Sequence, residues 1–472
     1  MTASGGDAAE VRIARRAVPA ASGGVGATPP ASADQAPITR TRITRTSRLR
    51  RVWGVLGPGL VTGASDDDPS GIATYAQAGA QYGFGLLWTA LITLPLMMAI
   101  QEICDRTALA TGKTLGELAR ARFSRWAKAG IGVLIVALVV ANTLNIAADL
   151  VAIGSGMQLL HAGPSWLWAL IAGVLITALL LLGGFTRIQL VFKLLCLSLL
   201  SYVVVLFVAH EPWRTVGLNT LIPHLTWSKN YLTLLVGVLG TTISPYLFFW
   251  QTADRVEEMR AEDGGGEPIP LDRRTTLGAK GKERSSRFDV FTGMSLSNLV
   301  MFAVITATAS TLGAHGGTDI TSAAQAAGAL RPIAGSLAST LFALGFIGSG
   351  MLAVPVLAGA GSVALAGLLG RAWGLSLSLR EAPLFYLLLA AGTLGGTALT
   401  LTSINPISLL VLVAIVNGIA AAPFLIVVMI ISRNRELMGA SRNGALAAVL
   451  GWGTVALMTA AALAMLALLT GL

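Results

Sequence analysis

Long apolar windows recur along the chain from about residue 52 to residue 470, separated by short polar connections. A membrane-spanning helix needs ~20 mostly apolar residues. About eleven windows qualify: 52–83, 84–105, 129–159, 165–183, 187–209, 231–254, 288–312, 335–369, 382–402, 405–432 and 444–470. The pattern predicts an all-α integral membrane protein of about eleven transmembrane helices. Residues 1–45 differ. They combine Ala, Gly, Ser, Pro and Arg without a periodic apolar face. That composition predicts a disordered basic tail ahead of a transmembrane domain over 46–472. Arg15 and Arg16 resemble a twin-arginine signal, but 17-AVPAASGGVGATPPAS-32 supplies no apolar core, so no cleaved signal is expected.

Two of the windows are interrupted. The first carries 63-GASDDDPSGIATYAQAGAQYG-83, in which Asp66, Asp67 and Asp68 precede Pro69, Ser70 and Gly71. Within a bilayer, irregular backbone survives only where protein buries it or water reaches it. Pro69 removes a donor, and Ser70 and Gly71 favour unwinding. An isolated charge at that depth costs ~3 kcal/mol or more, so three adjacent acids require a cavity, a cation or protonation. The sixth window breaks as well, at Thr241, Thr242, Ser244 and Pro245 in 231-YLTLLVGVLGTTISPYLFFWQTADRVEEM-259. Interrupted helices at matching positions of two halves point to a transporter's binding site. The pairing predicts a five-plus-five inverted repeat, the first repeat over about 50–210 and the second over about 230–432. An extra span follows at about 444–470. Two proline kinks in an ordinary bundle would leave the acids unexplained.

Composition supports the membrane reading. Of 472 residues, 54% are hydrophobic and 12% charged, against about 25% charged in a soluble domain, and the mean hydropathy is +0.72. The net charge of +10 is unevenly placed. Basic residues crowd the tail (Arg40, Arg42, Arg45, Arg48, Arg50, Arg51) and the 106–128, 255–287 and 433–442 loops. Arg214, Lys229 and Arg331 fall on the other side. This positive-inside asymmetry predicts a multi-pass protein of the cell membrane with a cytoplasmic N-terminus. The bilayer is then the partner of the basic charge; nucleic acid is not needed, and no oligomeric state is implied. Cys104 and Cys196 read as small buried residues rather than a disulfide or metal pair. The sequence holds no GxxxxGK[ST] phosphate loop of an ATP-driven pump.

At the level of motifs the chain resembles the Nramp family of divalent-metal transporters. The run 57-GPGLVTGASDDDPSGIATYAQAGAQYGFGLLW-88 resembles the family's first span, whose signature is Asp-Pro-Gly-Asn, and 101-QEICDRTALATGKTLGEL-118 resembles its Gln…Arg…Thr-Gly loop. The break 241-TTISPYLFFWQ-251 lies where the family has Met-Pro-His. The resemblance spans about 50–432, strongly in the first two spans and thinly after the sixth. It implies a LeuT-like architecture with an ion site between unwound spans one and six. Asp68 and Pro69 match the signature; its Gly falls on Ser70 and its metal-binding Asn on Gly71. Pro245 matches in the sixth span, whereas the soft Met ligand falls on Ser244, the neighbouring His on Tyr246 and a second His on Gln251. In 147-AADLVAI-153 the family's acidic pair keeps Asp149, and its Glu falls on Ala152.

These departures imply an all-oxygen site. Thioethers select soft metals, while carboxylates, carbonyls and hydroxyls suit Mg2+, Ca2+ and Mn2+. Mg2+ keeps several waters, which a site widened at Ser244 and Gly71 could hold, as in the Nramp-related magnesium transporters this chain resembles. Asp68 is expected as principal ligand, with Asp66 and Asp67 contacting the ion or its waters and with Gly71 and Ser244 also at the metal site. Carbonyls near Thr241 and Thr242 face the ion, since unwound half-helix ends present them. Ser70, Pro69, Pro245, Tyr246, Gln251 and Asp149 are expected to line or gate the pathway. The four histidines (His161, His210, His224, His315) fall in predicted outer loops, so entry driven by voltage rather than protons is expected. The cation is the transported substrate, with no cofactor and no enzymatic step. The alternatives are a proton-coupled Mn2+/Fe2+ symporter and, from another class, a cation-linked amino-acid carrier.

Overall fold

The computed structural model describes residues 57–208, 212–262, 266–312, 320, 325, 338–402 and 406–470. The predicted tail, His210, His315 and Arg331 lie outside them. The first window holds two short helices, α1 (Pro58–Asp66) and α2 (Pro69–Tyr82), each with proline in its first turn. A 3-10 turn over Gly83–Leu86 leads to α3 (Trp88–Thr111), bent by 107° from the preceding helix. Gly83 takes φ +55°, a region open mainly to glycine. Then come α4 (Leu115–Arg122), α5 (Arg125–Leu159), α6 (Ser165–Leu182), α7 (Phe185–Leu195), α8 (Leu200–Val208) and α9 (Trp213–Leu221). The sixth window holds α10 (Lys229–Thr242) and α11 (Pro245–Glu262). The remainder is α12 (Thr276–Thr311), α13 (Ala338–Leu369), α14 (Pro383–Leu399), α15 (Pro406–Ser432), α16 (Arg435–Met438) and α17 (Ala445–Thr470).

Every predicted window therefore holds helix. By length and composition eight described helical segments can cross a membrane, or nine with the bent pair Pro69–Leu86 and Trp88–Thr111 counted once. That pair fills the first two windows, and the shorter apolar α14 fills the ninth. Boundaries differ from the prediction where polar residues continue a helix. The seventh helix begins at Thr276 rather than near 288, because Thr275 caps it by accepting from the Gly278 N–H at 3.2 Å. Inside the 106–128 loop, α4 is nucleated by a capping box: Thr114 accepts from the Glu117 N–H, and Glu117 accepts from the Thr114 N–H at 2.8 Å.

The architecture is the LeuT-like five-plus-five inverted repeat with unwound spans one and six. The broken helices lie at its centre: α1 and α2 pack along α12, α2 meets α10, and α15 covers α10 and α2. Around them α5 packs along α13. Close approach rests on glycine at one crossing, where a Cβ on Gly63 would collide with the Gly293 backbone and the reverse substitution with Gly59. Cys104 and Cys196 are free and buried, as expected of small packing residues.

Candidate metal site

The first break is organised by Asp68. Helix α1 ends at Asp66, Asp67 takes φ −85° and ψ 48°, and Asp68 turns extended to cap α2. Its Oδ1 accepts from the Gly71 N–H at 2.7 Å and from Ser70 Oγ at 2.5 Å. Its Oδ2 accepts from Asn145 Nδ2 at 3.0 Å and faces Tyr246 Oη at 3.4 Å. The predicted ligand is therefore also the helix cap, and it joins α2 to α5 and α11. Pro69 fits because the first turn of α2 has no acceptor for its missing N–H.

The second break lies at Ile243 and Ser244, between Thr242 and Pro245. Ser244 Oγ turns back onto its own helix, 2.8 Å from the Gly240 carbonyl and 2.9 Å from that of Thr241. Tyr246 donates to the Ser65 carbonyl at 3.0 Å, so one phenol ties the second break to the first. Thr242 Oγ1 donates to the Val238 carbonyl at 2.7 Å, lies 3.1 Å from Tyr75 Oη and 3.8 Å from the Met301 sulfur. Thr241 Oγ1 is buried without a hydrogen-bond partner among the described residues. It faces Gly71, where an added Cβ would lie 2.9 Å from Thr241 Oγ1 and 3.3 Å from the Asp66 carbonyl oxygen. The two breaks thus approach closely at Gly71, where a side chain would press on Thr241.

The three acids are all buried, but they do not converge. Ser297 Oγ on α12 lies 2.8 Å from Asp66 Oδ2 and 3.3 Å from Asp67 Oδ1, while Asp68 turns the other way, to α5. Asp66 Oδ1 and Asp67 Oδ2 have no partner among the described residues. Among those residues no three His, Cys, Asp or Glu side chains are grouped to hold a metal ion. A cation between the breaks would thus draw on Asp68 together with hydroxyl and carbonyl oxygens. Asp149 lies one turn beyond Asn145 on α5. Both its oxygens are buried without partners among the described residues. The asparagines that could have satisfied it point elsewhere: Asn145 to Asp68, and Asn142 to the Leu357 carbonyl at 2.8 Å.

Gln251 stands apart from the breaks. Its amide donates to Asp105 Oδ1 at 2.7 Å, within a charged network near the basic loops. There Arg255 Nε donates to the same oxygen at 2.6 Å, one terminal nitrogen reaches Asp289 Oδ2 at 3.1 Å, and the other pairs with Glu258. Ser286 also donates to Asp105. Asp289 in turn accepts from the N–H groups of Gly57 at 2.7 Å, Gly59 at 2.8 Å and Leu60 at 3.1 Å. A carboxylate on α12 thus stands at the positive end of α1 and satisfies amides that have no partner within their own helix. Sequence reasoning missed Ser297, Asp105, Arg255 and Asp289. Acidic and basic residues inside or beside apolar windows were the available signal for the last three. Asn298 on α12 donates to Thr93 on α3 across helices at 3.2 Å.

Comparison with known proteins bears on the family and the fold. The family model described as Nramp, Natural resistance-associated macrophage protein-like, matches residues 59–468. A "Divalent metal cation transporter MntH" of Verminephrobacter eiseniae is 28% identical over 407 residues, covering 84% of this chain and 84% of that one. Its namesake in Deinococcus radiodurans is 27% identical over 416 residues, covering 86% and 87%. Among solved structures, the Eremococcus coleocola manganese transporter in complex with an aromatic bis-isothiourea substituted compound superposes with a TM-score of 0.69. The identity is 20%, over 90% of this chain and 88% of that one. Mhp1, a nucleobase-cation-symport-1 family transporter in a closed conformation, gives 0.54 at 12% identity over 87% and 92%. Both structural likenesses concern the fold.

Proposed function

The chain belongs to the Nramp family, and from that premise we propose that it carries divalent metal cations across the cell membrane by alternating access, with Mg2+ preferred and Mn2+ next. The observation that carries the Mg2+ preference is the oxygen set where the breaks meet, with Gly71 letting Thr241 Oγ1 and the Asp66 carbonyl approach so closely that a Cβ there would lie 2.9 Å and 3.3 Å from them. The Tyr75 ring borders the same contact, and the buried Thr241 hydroxyl lacks a partner among the described residues. Hard oxygen donors suit Mg2+. In this reading Asp68 supplies the charge, Thr241 and backbone carbonyls the neutral oxygens, and Asp66 and Asp67 draw hydrated cations toward the break. Ser70, Pro69, Ser244 and Pro245 shape the two unwound segments, and Tyr246 bridges them. Thr242 braces the second, Asp149 faces the site from α5, and Gln251 belongs to the closure at the basic end.

Entry is proposed to be driven by voltage, not protons, with the N-terminus cytoplasmic. The described histidines, His161 and His224, sit in connections after α5 and before α10, away from both breaks. A second reading keeps the fold and makes the protein a proton-coupled Mn2+/Fe2+ symporter. Two observations favour it: the Met301 sulfur against Thr242, and Asp149 with both oxygens unpartnered among the described residues. A carrier of zwitterionic amino acids fits poorly, because the acids of the first break would repel the substrate carboxylate.

Uptake into proteoliposomes at clamped potential separates these readings. Mg2+, Mn2+ and Ca2+ are compared with a pH dye sealed in the lumen and Asp68→Ala as the inactive control. The proposal expects Mg2+ entry without acidification, abolished in the control. Mn2+ entry accompanied by protons, with no Mg2+ flux, would establish the symporter instead.

A further inference from the structure

Three arginines in the loop before α17 have no role in the metal site. Arg433, Arg435 and Arg442 line a recess of about 620 Å3, together with Asn443 and the first turns of α17 as far as Trp452. No carboxylate is among the lining residues, and none of the three arginines forms an ion pair among the described residues. The neighbouring recess between α3, α12 and α17 shares Arg442 but differs in its acids: Glu102 and Glu283 line it and offset most of the charge of Arg106, Arg287 and Arg442.

The platform that carries these arginines is fixed by buried contacts. Arg106 on α3 donates to the Ser441 carbonyl at 2.6 Å and to Asn443 Oδ1 at 3.0 Å, while Asn443 Nδ2 donates to Ser432 Oγ at 2.9 Å. Asn434 caps α16 through the Glu436 and Leu437 N–H groups, and Met438 is buried beneath. The loop is thus tied to α3 and α15 at several points. Its exposed side runs directly into an apolar strip of α17, where Leu446 is 73% and Val449 70% exposed and Trp452 follows one turn later. In a membrane span such a strip faces lipid, and tryptophan at that level marks the interface.

We propose that the recess binds the headgroup of an anionic phospholipid, whose phosphate meets Arg433, Arg435 and Arg442 and whose acyl chains lie along the Leu446–Trp452 face of α17. Guanidinium groups pair with phosphate oxygens in bidentate fashion, and basic recesses beside spanning helices suit anionic headgroups. The continuity of charged recess and apolar strip selects a lipid over a free anion.

The test uses the full-length protein, delipidated in detergent and titrated by native mass spectrometry with phosphatidylglycerol, phosphatidylcholine or inorganic phosphate. Each arginine changed to glutamine should weaken the tightest phosphatidylglycerol adduct roughly fivefold, and all three on the order of a hundredfold. A control triple, Arg273→Gln with Arg274→Gln and Lys280→Gln, should leave that adduct unchanged. Equal weakening by both triples would show diffuse attraction and overturn the site. Equally tight phosphatidylcholine would overturn the headgroup assignment. Complete displacement of the lipid by millimolar inorganic phosphate would make it a free-anion site. If the triple variant fails to fold, photoreactive phosphatidylglycerol on the unaltered protein decides. Labels within 446–452 support the proposal, and labels confined to other spans defeat it.

Discussion

Asp68 carries two duties on one carboxylate: it caps α2 and presents charge to the space between the breaks. The substitution Asp68→Asn separates them, because the amide oxygen still accepts from the Gly71 N–H while the charge is gone. Thermal stability should stay within a few degrees, and Mg2+ uptake should fall ~tenfold or more, which corresponds to about 1.4 kcal/mol of binding. Unchanged uptake would reduce Asp68 to a cap. Gly71→Asn asks about room. Its Cβ would press on Thr241 Oγ1, so Mg2+ uptake should drop well below that of Mn2+ when both are measured in the same liposomes. At this scale the sequence showed the acids, the glycine and both prolines, because helix breakers and charges inside apolar windows contradict their surroundings. It did not show that Asp66 and Asp67 turn to Ser297, since one serine in an apolar span looks like any small packing residue. Gln251 was legible in hindsight. Six residues past Pro245 is roughly 9 Å of helix rise, which carries it away from the break and into reach of Asp105.

Among the elements, α1 is short, and its first amides converge on one side chain. It has nine residues, and the Asp289 side chain receives three amides at or near its start. Asp289→Ala should destabilise that end by ~1–3 kcal/mol, the usual loss when buried donors are left unmet. Hydrogen exchange read peptide by peptide should then accelerate over 57–62 and stay unchanged in α5 and α13. The α1–α12 crossing sets a second expectation. Gly293→Leu must force Gly59 and its neighbours away, and overpacking of this kind costs ~1–3 kcal/mol, visible as a lower melting temperature. Element existence was readable from hydropathy alone, while helix ends were less so. Thr275 and Thr114 begin helices in polar sequence, where apolar windowing carries no signal and only the caps mark the start.

For the whole molecule, the proposed driving force is the membrane potential. Moving one charge across 100 mV is worth ~2.3 kcal/mol, so a divalent ion gains ~4.6 kcal/mol. An uncoupled carrier should therefore concentrate Mg2+ under an imposed inside-negative potassium diffusion potential and release it when the potential collapses, with no dependence on an imposed pH gradient. A pH gradient that alone drives accumulation would require a proton site and point to Asp149.

The four donors on Asp289, three backbone amides and the Arg255 guanidinium, have a further consequence in time. A carboxylate offers about four acceptor positions, and here each is taken. All four bonds end on one side chain, so withdrawal of that carboxylate releases the start of α1 in a single step. Single-molecule traces with a fluorophore near residue 57 should show closed-state waiting times that follow one exponential. In Asp289→Asn, which keeps only one acceptor oxygen, the waits should shorten while their distribution keeps that form.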